Sequence, residues 1–181
     1  FNDKPMPSRL ISLNMDKAPL DDLNVRLGLA HSFNFDKLFT TLMRNDAYRH
    51  DAFADGYGDY TNRNVAPRNF DPKKAIEYLN KFSSDDEILA PLAKGNIGDA
   101  FVQLNQLDDA LDYYEQAAKM RDNDYTAPMY LYKAGTIALD LGKADKALTY
   151  FETIKEKYPN ASEMAMVEVL LGKAKVMANK Y

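Results

Sequence analysis

His31 and His50 are the only histidines in the 181-residue chain, and it has no cysteine. Imidazole is the usual acid–base group near neutral pH and the commonest metal ligand, but a metal site needs several ligands converging. Neither histidine has a second imidazole at ligand spacing. No metal and no cofactor are therefore expected. His31 closes an amphipathic helix and reads as a structural side chain. Arg49, His50 and Asp51 have the right types to move a proton, yet they read as solvated charges in a loop. Gly56 and Gly58 lack both the Lys-Ser/Thr of a phosphate loop and the third glycine of a dinucleotide turn. Asp85–Asp86 and Asp108–Asp109 fit helix starts, where free N–H groups and the helix dipole favour carboxylates, better than a catalytic dyad. Tyr113, Tyr114, Tyr130 and Tyr132 recur at helical spacing, with Tyr114 expected in the core. No catalytic residue is assigned, and the chain reads as a non-enzyme.

The elements that would position these side chains follow from bulk properties first. A hydrophobic content of 46% is ordinary for a globular chain, and the net charge of −4 argues against a nucleic-acid groove. Disulfides, thiolate catalysis and cysteine-ligated metals are excluded by composition. No apolar run reaches membrane-spanning length. The sequence begins at Phe1 without an initiator Met or a basic-then-apolar leader, as a mature form, a trimmed form or a fragment would. Composition shifts near residue 70. Before it, all nine acids are Asp and six of nine bases are Arg. After it, Glu appears and thirteen of fourteen bases are Lys. Two segments of different character are implied, as in a chimera.

Two stretches repeat each other 37 residues apart, with Gly98 matching Gly135, Ala110 matching Ala147 and Tyr114 matching Phe151. A shared period of this size predicts stacked helical hairpins. In the first, Ile97, Phe101 and Leu104 set a helical stripe over Lys94–Leu104. Asn105–Gln106 turn the chain, and a second helix runs over about Asp108–Met120. In the second hairpin, the helices are Met129–Leu141 and Ala144–Tyr158, with Gly142 ending one and Pro159 blocking the other. Ser162–Asn179 is a last helix, with apolar Met166, Val169, Leu170, Ala174 and Met177, and reads as a cap. Upstream, Asp71–Phe82 fits the second helix of a preceding hairpin. Its first helix should lie near 56–68, a stretch too rich in Gly, Asn and Pro to form one. The array is thus expected to start with half a repeat.

Over residues 91–159 the pattern resembles the tetratricopeptide repeat, whose period is 34. The residues that carry the likeness are Gly98, Phe101, Ala110, Tyr114 and Ala117, then Gly135, Ala138, Ala147, Phe151 and Pro159. Asp122–Asn123–Asp124 supply the extra length. The resemblance implies a fold of antiparallel helical hairpins in an α-α superhelix and a role in protein–protein or peptide interaction. It also implies a concave partner-binding groove on the first helix of each hairpin: Leu92, Asp99, Val102 and Gln103, then Met129, Tyr132, Thr136 and Asp140, together with Gly95 and Leu139. Members that capture a C-terminal carboxylate use Lys and Asn where this chain has Gly95 and Asp99, and Tyr132 and Thr136. Carboxylate capture is therefore not expected, and Asp99 with Asp140 would favour a neutral or basic partner. A competing expectation is that the N-terminal segment, or a second copy, fills this short groove.

In the first part, Arg9–Met15 is a strand candidate. Leu23–Ser32 and Phe35–Met43 are helices, and Asn45–Pro67 reads as loop. Asn14, Pro19, Asp22, Val25 and Arg26, then Phe70–Asp71–Pro72 with Lys74 and Ala75, resemble extracellular solute-binding proteins of peptide ABC importers over residues 8–82. That resemblance implies a periplasmic or extracytoplasmic setting. It carries no ligand contacts, because most of a two-lobed receptor is missing. The fold expected is mainly α, with a small irregular α/β N-terminal segment. Residues 1–70 are read as a solute-binding-protein-like segment that is not an independent domain, and 71–181 as the repeat domain. The function expected is a non-enzymatic interaction module for a protein or peptide. The alternative is a fragment of a periplasmic peptide or solute receptor. The strand needs a sheet partner, and pairing through it would give a homodimer.

Overall fold

The computed structural model describes residues 14–41, 64 and 68–179. The described residues form eight helices and no strand. Of the strand candidate, 9–13 lie outside the described residues, and Asn14 and Met15 belong to no strand. Two short helices, α1 (Leu23–Ser32) and α2 (Phe35–Thr41), precede α3 (Pro72–Leu79). The array proper is α4 (Leu89–Gln103), α5 (Leu107–Met120), α6 (Thr126–Asp140), α7 (Ala144–Lys157) and α8 (Met164–Met177). Each helix from α3 to α8 packs on the next in sequence, and α4, α6 and α8 also touch in turn, as first helices of successive hairpins do.

The repeat arises from a notch and a knob. A Cβ on Gly98 would lie 2.6 Å from the Tyr114 ring, and one on Gly135 would lie 2.5 Å from the Phe151 ring. Glycine inside a helix costs about 0.5–1 kcal/mol against alanine. The close approach of a fully buried aromatic offsets that cost in each hairpin. Ala110, Ala117, Ala127, Ala134, Ala138 and Ala147 are all at 0% exposure around these rings, where larger side chains would hold the helices apart.

Each hairpin turn uses the same backbone device. Asn105 and Gly142 adopt φ of 56° and 71°, the left-handed conformation that ends a helix. The next residue then donates back across the turn, Gln106 N–H to Phe101 O at 3.0 Å and Lys143 N–H to Ala138 O at 2.8 Å. The three extra residues of the longer period also have a structural use. Asn123 Oδ1 accepts from the N–H groups of Tyr125 and Thr126 at 3.0 and 2.7 Å, starting α6, while its Nδ2 donates to Glu87 O at 3.1 Å.

The half repeat expected at the start of the array is completed by α1. Asp71 starts α3 by accepting from Lys74 N–H at 3.1 Å, with Pro72 in the first turn. Ala75 and Leu79 form its buried side. These stand 35 residues before Ala110 and Tyr114. The helix lying on them is α1, and a Cβ on its Gly28 would meet Leu79 at 2.7 Å. Gly28 and Leu79 thus reproduce the pairing of Gly98 with Tyr114, across residues 33–71. His31 fastens the joint. It is buried, its Nδ1 lies 2.8 Å from Asn69 O, its carbonyl accepts from Asp71 N–H at 3.0 Å, and its ring stacks on Tyr78.

The last helix buries Val167, Leu171 and Ala174. Of the apolar residues singled out in the sequence, Ala174 is buried and Leu170 half-buried, whereas Met166, Val169 and Met177 are 54%, 65% and 42% exposed, their inward places taken by Val167 and Leu171. Val167 stands one period after Tyr130, and Asn179 repeats the left-handed turn with φ 52°. By packing and register, α8 takes the place of a first helix in the repeat.

Candidate interaction face

The groove residues inferred from sequence lie on α4 and α6, which adjoin. Leu92, Asp99, Val102, Met129, Tyr132 and Thr136 are half-buried, and Gln103 and Asp140 are exposed. Gly95 and Leu139 are buried instead. Tyr130 explains Gly95, because its ring occupies the space where a Cβ would stand. Thr136 spends its hydroxyl on Tyr132 O of its own helix, at 3.0 Å.

Asp99 anchors a cluster. It accepts from Tyr114 Oη at 2.5 Å and from Lys133 Nζ at 2.7 and 2.9 Å. The same ammonium lies 5.5 Å and 5.6 Å from the centroids of the stacked Tyr114 and Tyr130 rings. Burial, and then the hydrogen bond to Asp99, push the Tyr114 phenol far above its ordinary 10.0. Tyr130 moves the same way, mainly through burial. These groups hold their protons and join α4, α5 and α6. Lys133 is paired with Asp99, and Asp140 is the exposed acid of the two.

Ion pairs join α5, and the loop after it, to the start and length of α7. Lys143 meets Asp108 at 2.5 Å, Lys157 meets Asp122 at 2.6 Å, and Lys146 meets Glu115 at 3.1 Å. Tyr150 Oη also donates to Glu115, and Tyr158 Oη donates to Asp122 at 2.6 Å. Burial raises the Glu115 carboxyl, but donation from Tyr150, Lys146 and Lys119 outweighs it and leaves the group below its ordinary value. The hydrogen bond from Lys157, then that from Tyr158, lower Asp122. Asp86 caps the approach to α4, accepting from Ile88 and Leu89 N–H at 2.8 Å each. Among the described residues, no group of His, Asp and Glu is arranged to hold a metal ion. His50 and the two glycines Gly56 and Gly58 lie outside the described residues.

The structure adds two regions to the face. One period after Met129, Tyr132, Thr136, Leu139 and Asp140 come Met166, Val169, Lys173, Val176 and Met177 of α8. Met166, Val169, Val176 and Met177 are among the most exposed large apolar side chains described. The 37-residue period carried one step further points to them, but a cap reading hides them. At the other end, Gln103 borders an open hollow of about 410 Å³, shared with Phe33, Lys37, Leu38 and Phe70. The first part of the chain therefore forms the wall at that end of the face.

A stack of paired helices with a mixed polar and apolar face defines a helical-repeat interaction module. The tetratricopeptide repeat family matches residues 96–162. The bacterial extracellular solute-binding proteins, family 5, middle region, match residues 1–93. That second match spans just over half of the sequence, so the chain belongs to the family 5 solute-binding proteins, while residues 96–162 are similar to the tetratricopeptide repeat. The two matches meet inside α4. No curated protein matches the chain. No described helix is long and apolar enough to cross a membrane.

Proposed function

We propose that the chain is a non-enzymatic module that holds a protein or peptide partner against the face formed by α4, α6 and α8. The observation that supports this reading most is the contrast in how side chains are used. Asp99, Glu115, Asp122 and the buried tyrosines bond to one another across helices. Asp140 and the α8 residues are left facing outward on successive first helices, with the half-buried Tyr132 beside them. Mixed apolar and polar lining of that kind suits a helix or extended segment. With Asp99 bound to Lys133, Asp140 carries the preference for a neutral or basic partner. The domain division proposed is 1–70 and 71–181, with α1 lent to the second. The setting proposed is extracytoplasmic, from the solute-binding match.

The test is a peptide-display selection on the full chain, followed by calorimetric titration of the selected peptide. Val102→Glu and Tyr132→Ala should each weaken binding by about tenfold or more, the scale of a lost interface anchor. Unchanged affinity in both would contradict the groove.

The match over 1–93 favours a second reading, a piece of a peptide or solute receptor. Its site would be the hollow beside Gln103. Thermal-shift screening with short peptides and sugars tests it. A stabilisation lost in Phe33→Ala and Lys37→Ala would favour it, and one indifferent to both would count against it.

A further inference from the structure

Beside the first half of α4, a cavity of about 260 Å³ opens between α3, α4 and the end of α5. Leu79, Ala93, Ile97 and Met120 give it an apolar wall, and Ser84 and Lys94 also line it. The repeat register accounts for the space. One period after Ala93 and Lys94 stand Tyr130 and Leu131, a fully buried ring and a leucine packed on the core. The first hairpin has an alanine and a cation in those places, so apolar volume is missing where the two family matches adjoin. Both polar groups have a donor to spare. Ser84 Oγ accepts from Asp86 N–H at 3.1 Å, which leaves its own hydrogen to give. Lys94 is half-buried, its ammonium lies 5.2 Å from the centroid of the Tyr113 ring, and no described carboxylate pairs with it. By contrast, Lys133, Lys143, Lys146 and Lys157 each meet a carboxylate.

We propose that this cavity binds a small apolar monocarboxylate, a ring or branched chain whose acid group is held by Lys94 and Ser84. Size sets the body of the ligand. An apolar cavity of about 150 Å³ holds benzene, so the space takes a ring with a short chain. Drug-sized ligands need roughly 300 Å³ or more, so a peptide backbone finds no room beside the ring. Charge sets the head group. A carboxylate gives Lys94 the ionised acceptor that its surroundings lack, and hydrogen bonds between charged partners are the strong ones. A neutral ligand would leave the ammonium without that acceptor, and a cationic one would meet like charge. The apolar body displaces water from Leu79, Ile97 and Met120. The cavity is separate from the face on α4, α6 and α8 and from the hollow beside Gln103, so the proposal depends on neither reading.

Methionine-methyl NMR on the full chain tests it, because Met120 lines the cavity while Met166 and Met177 are exposed on α8. Phenylacetate should shift the Met120 methyl signal saturably and leave those of Met166 and Met177 in place. Its Kd should be on the order of 0.1–1 mM, the scale for a ligand of roughly ten non-hydrogen atoms. Phenylacetamide has the same shape without the charge and should bind about tenfold more weakly, the worth of one hydrogen bond to a charged group. Lys94→Met keeps the stem and should lose that preference for the acid, whereas Lys94→Arg should keep it. Ala93→Leu fills the space with a good helix former, so circular dichroism and Tm should hold or rise while the Met120 response disappears. No saturable Met120 shift at about 20 mM phenylacetate, well above that Kd, would overturn the proposal. So would equal binding of the amide, a preference unchanged in Lys94→Met, or tighter binding of a tripeptide ending in phenylalanine.

Discussion

At the residue scale, the chain shows how much depends on where a glycine stands. Gly135→Val should cost about 1–3 kcal/mol of stability, the range for overpacking a filled core, because the Phe151 ring already lies 2.5 Å from the new Cβ. Gly172→Ala, one period later, should raise stability by about 0.5–1 kcal/mol, since it meets open space and gains helix propensity. Urea denaturation of both variants checks the contrast. The carboxylate network predicts pH dependence. The Glu115 carboxyl lies below its ordinary 4.5 when folded and returns to it on unfolding. Its contribution is therefore complete above pH 4.5 and is lost as pH falls through the lower folded value. Thermal melts from neutral to acid pH should show Tm falling below that point, less steeply in Glu115→Gln. At the alkaline end, the raised Tyr114, Tyr130 and Tyr150 favour the folded state below their ordinary 10.0. Stability should fall as pH rises past that value, when the unfolded phenols ionise first.

At the element scale, local sequence and repeat register gave different amounts of information. The helices within 94–157 were legible because apolar spacing, the paired glycines and Pro159 all agree with one period, but α4 and α6 begin earlier than read, at Leu89 and Thr126, with Pro91 and Pro128 in their first turns. The Asp99–Lys133 and Asp108–Lys143 pairs were legible in principle, lying 34 and 35 residues apart, but charges on a surface carry no signal until the period is used to align them. The partner of α3 was not legible. The search for it ran one period upstream, into 56–68, while the helix that serves is α1, which only tertiary packing selects. The facing of α8 was missed for a related reason, because Met166 and Val169 are as apolar as the buried Val167 and Leu171. The α1–α3 pairing makes a definite prediction. Deleting residues 1–41 should strip cover from Ala75 and Leu79 and remove hydrogen-exchange protection from α3, while α6 and α7 keep theirs. Equal protection of α3 with and without those residues would show that the array starts at residue 71 unaided.

At the scale of the whole molecule, two families share one continuous stack. The solute-binding match contributes α1 to α3 and the opening of α4, and the repeat match contributes the rest up to Asn160–Ser162. The join is a structural one, because Gly28 on Leu79 copies the notch and knob of the true repeats. The change in composition near residue 70 marked the boundary in sequence but gave no sign that the earlier part would serve as a repeat helix. The resulting face is bounded by Phe33, Lys37 and Gln103 at one end and by α8 at the other. The central claim is that this face, on the first helices of successive hairpins, is where a partner is held. Hydrogen–deuterium exchange on the full chain, with and without the display-selected peptide, tests it most directly. Binding should slow exchange along α4, α6 and α8 and leave α5 and α7 unchanged. Slowing confined to residues 32–41 and 68–72, with α6 unaffected, would contradict it.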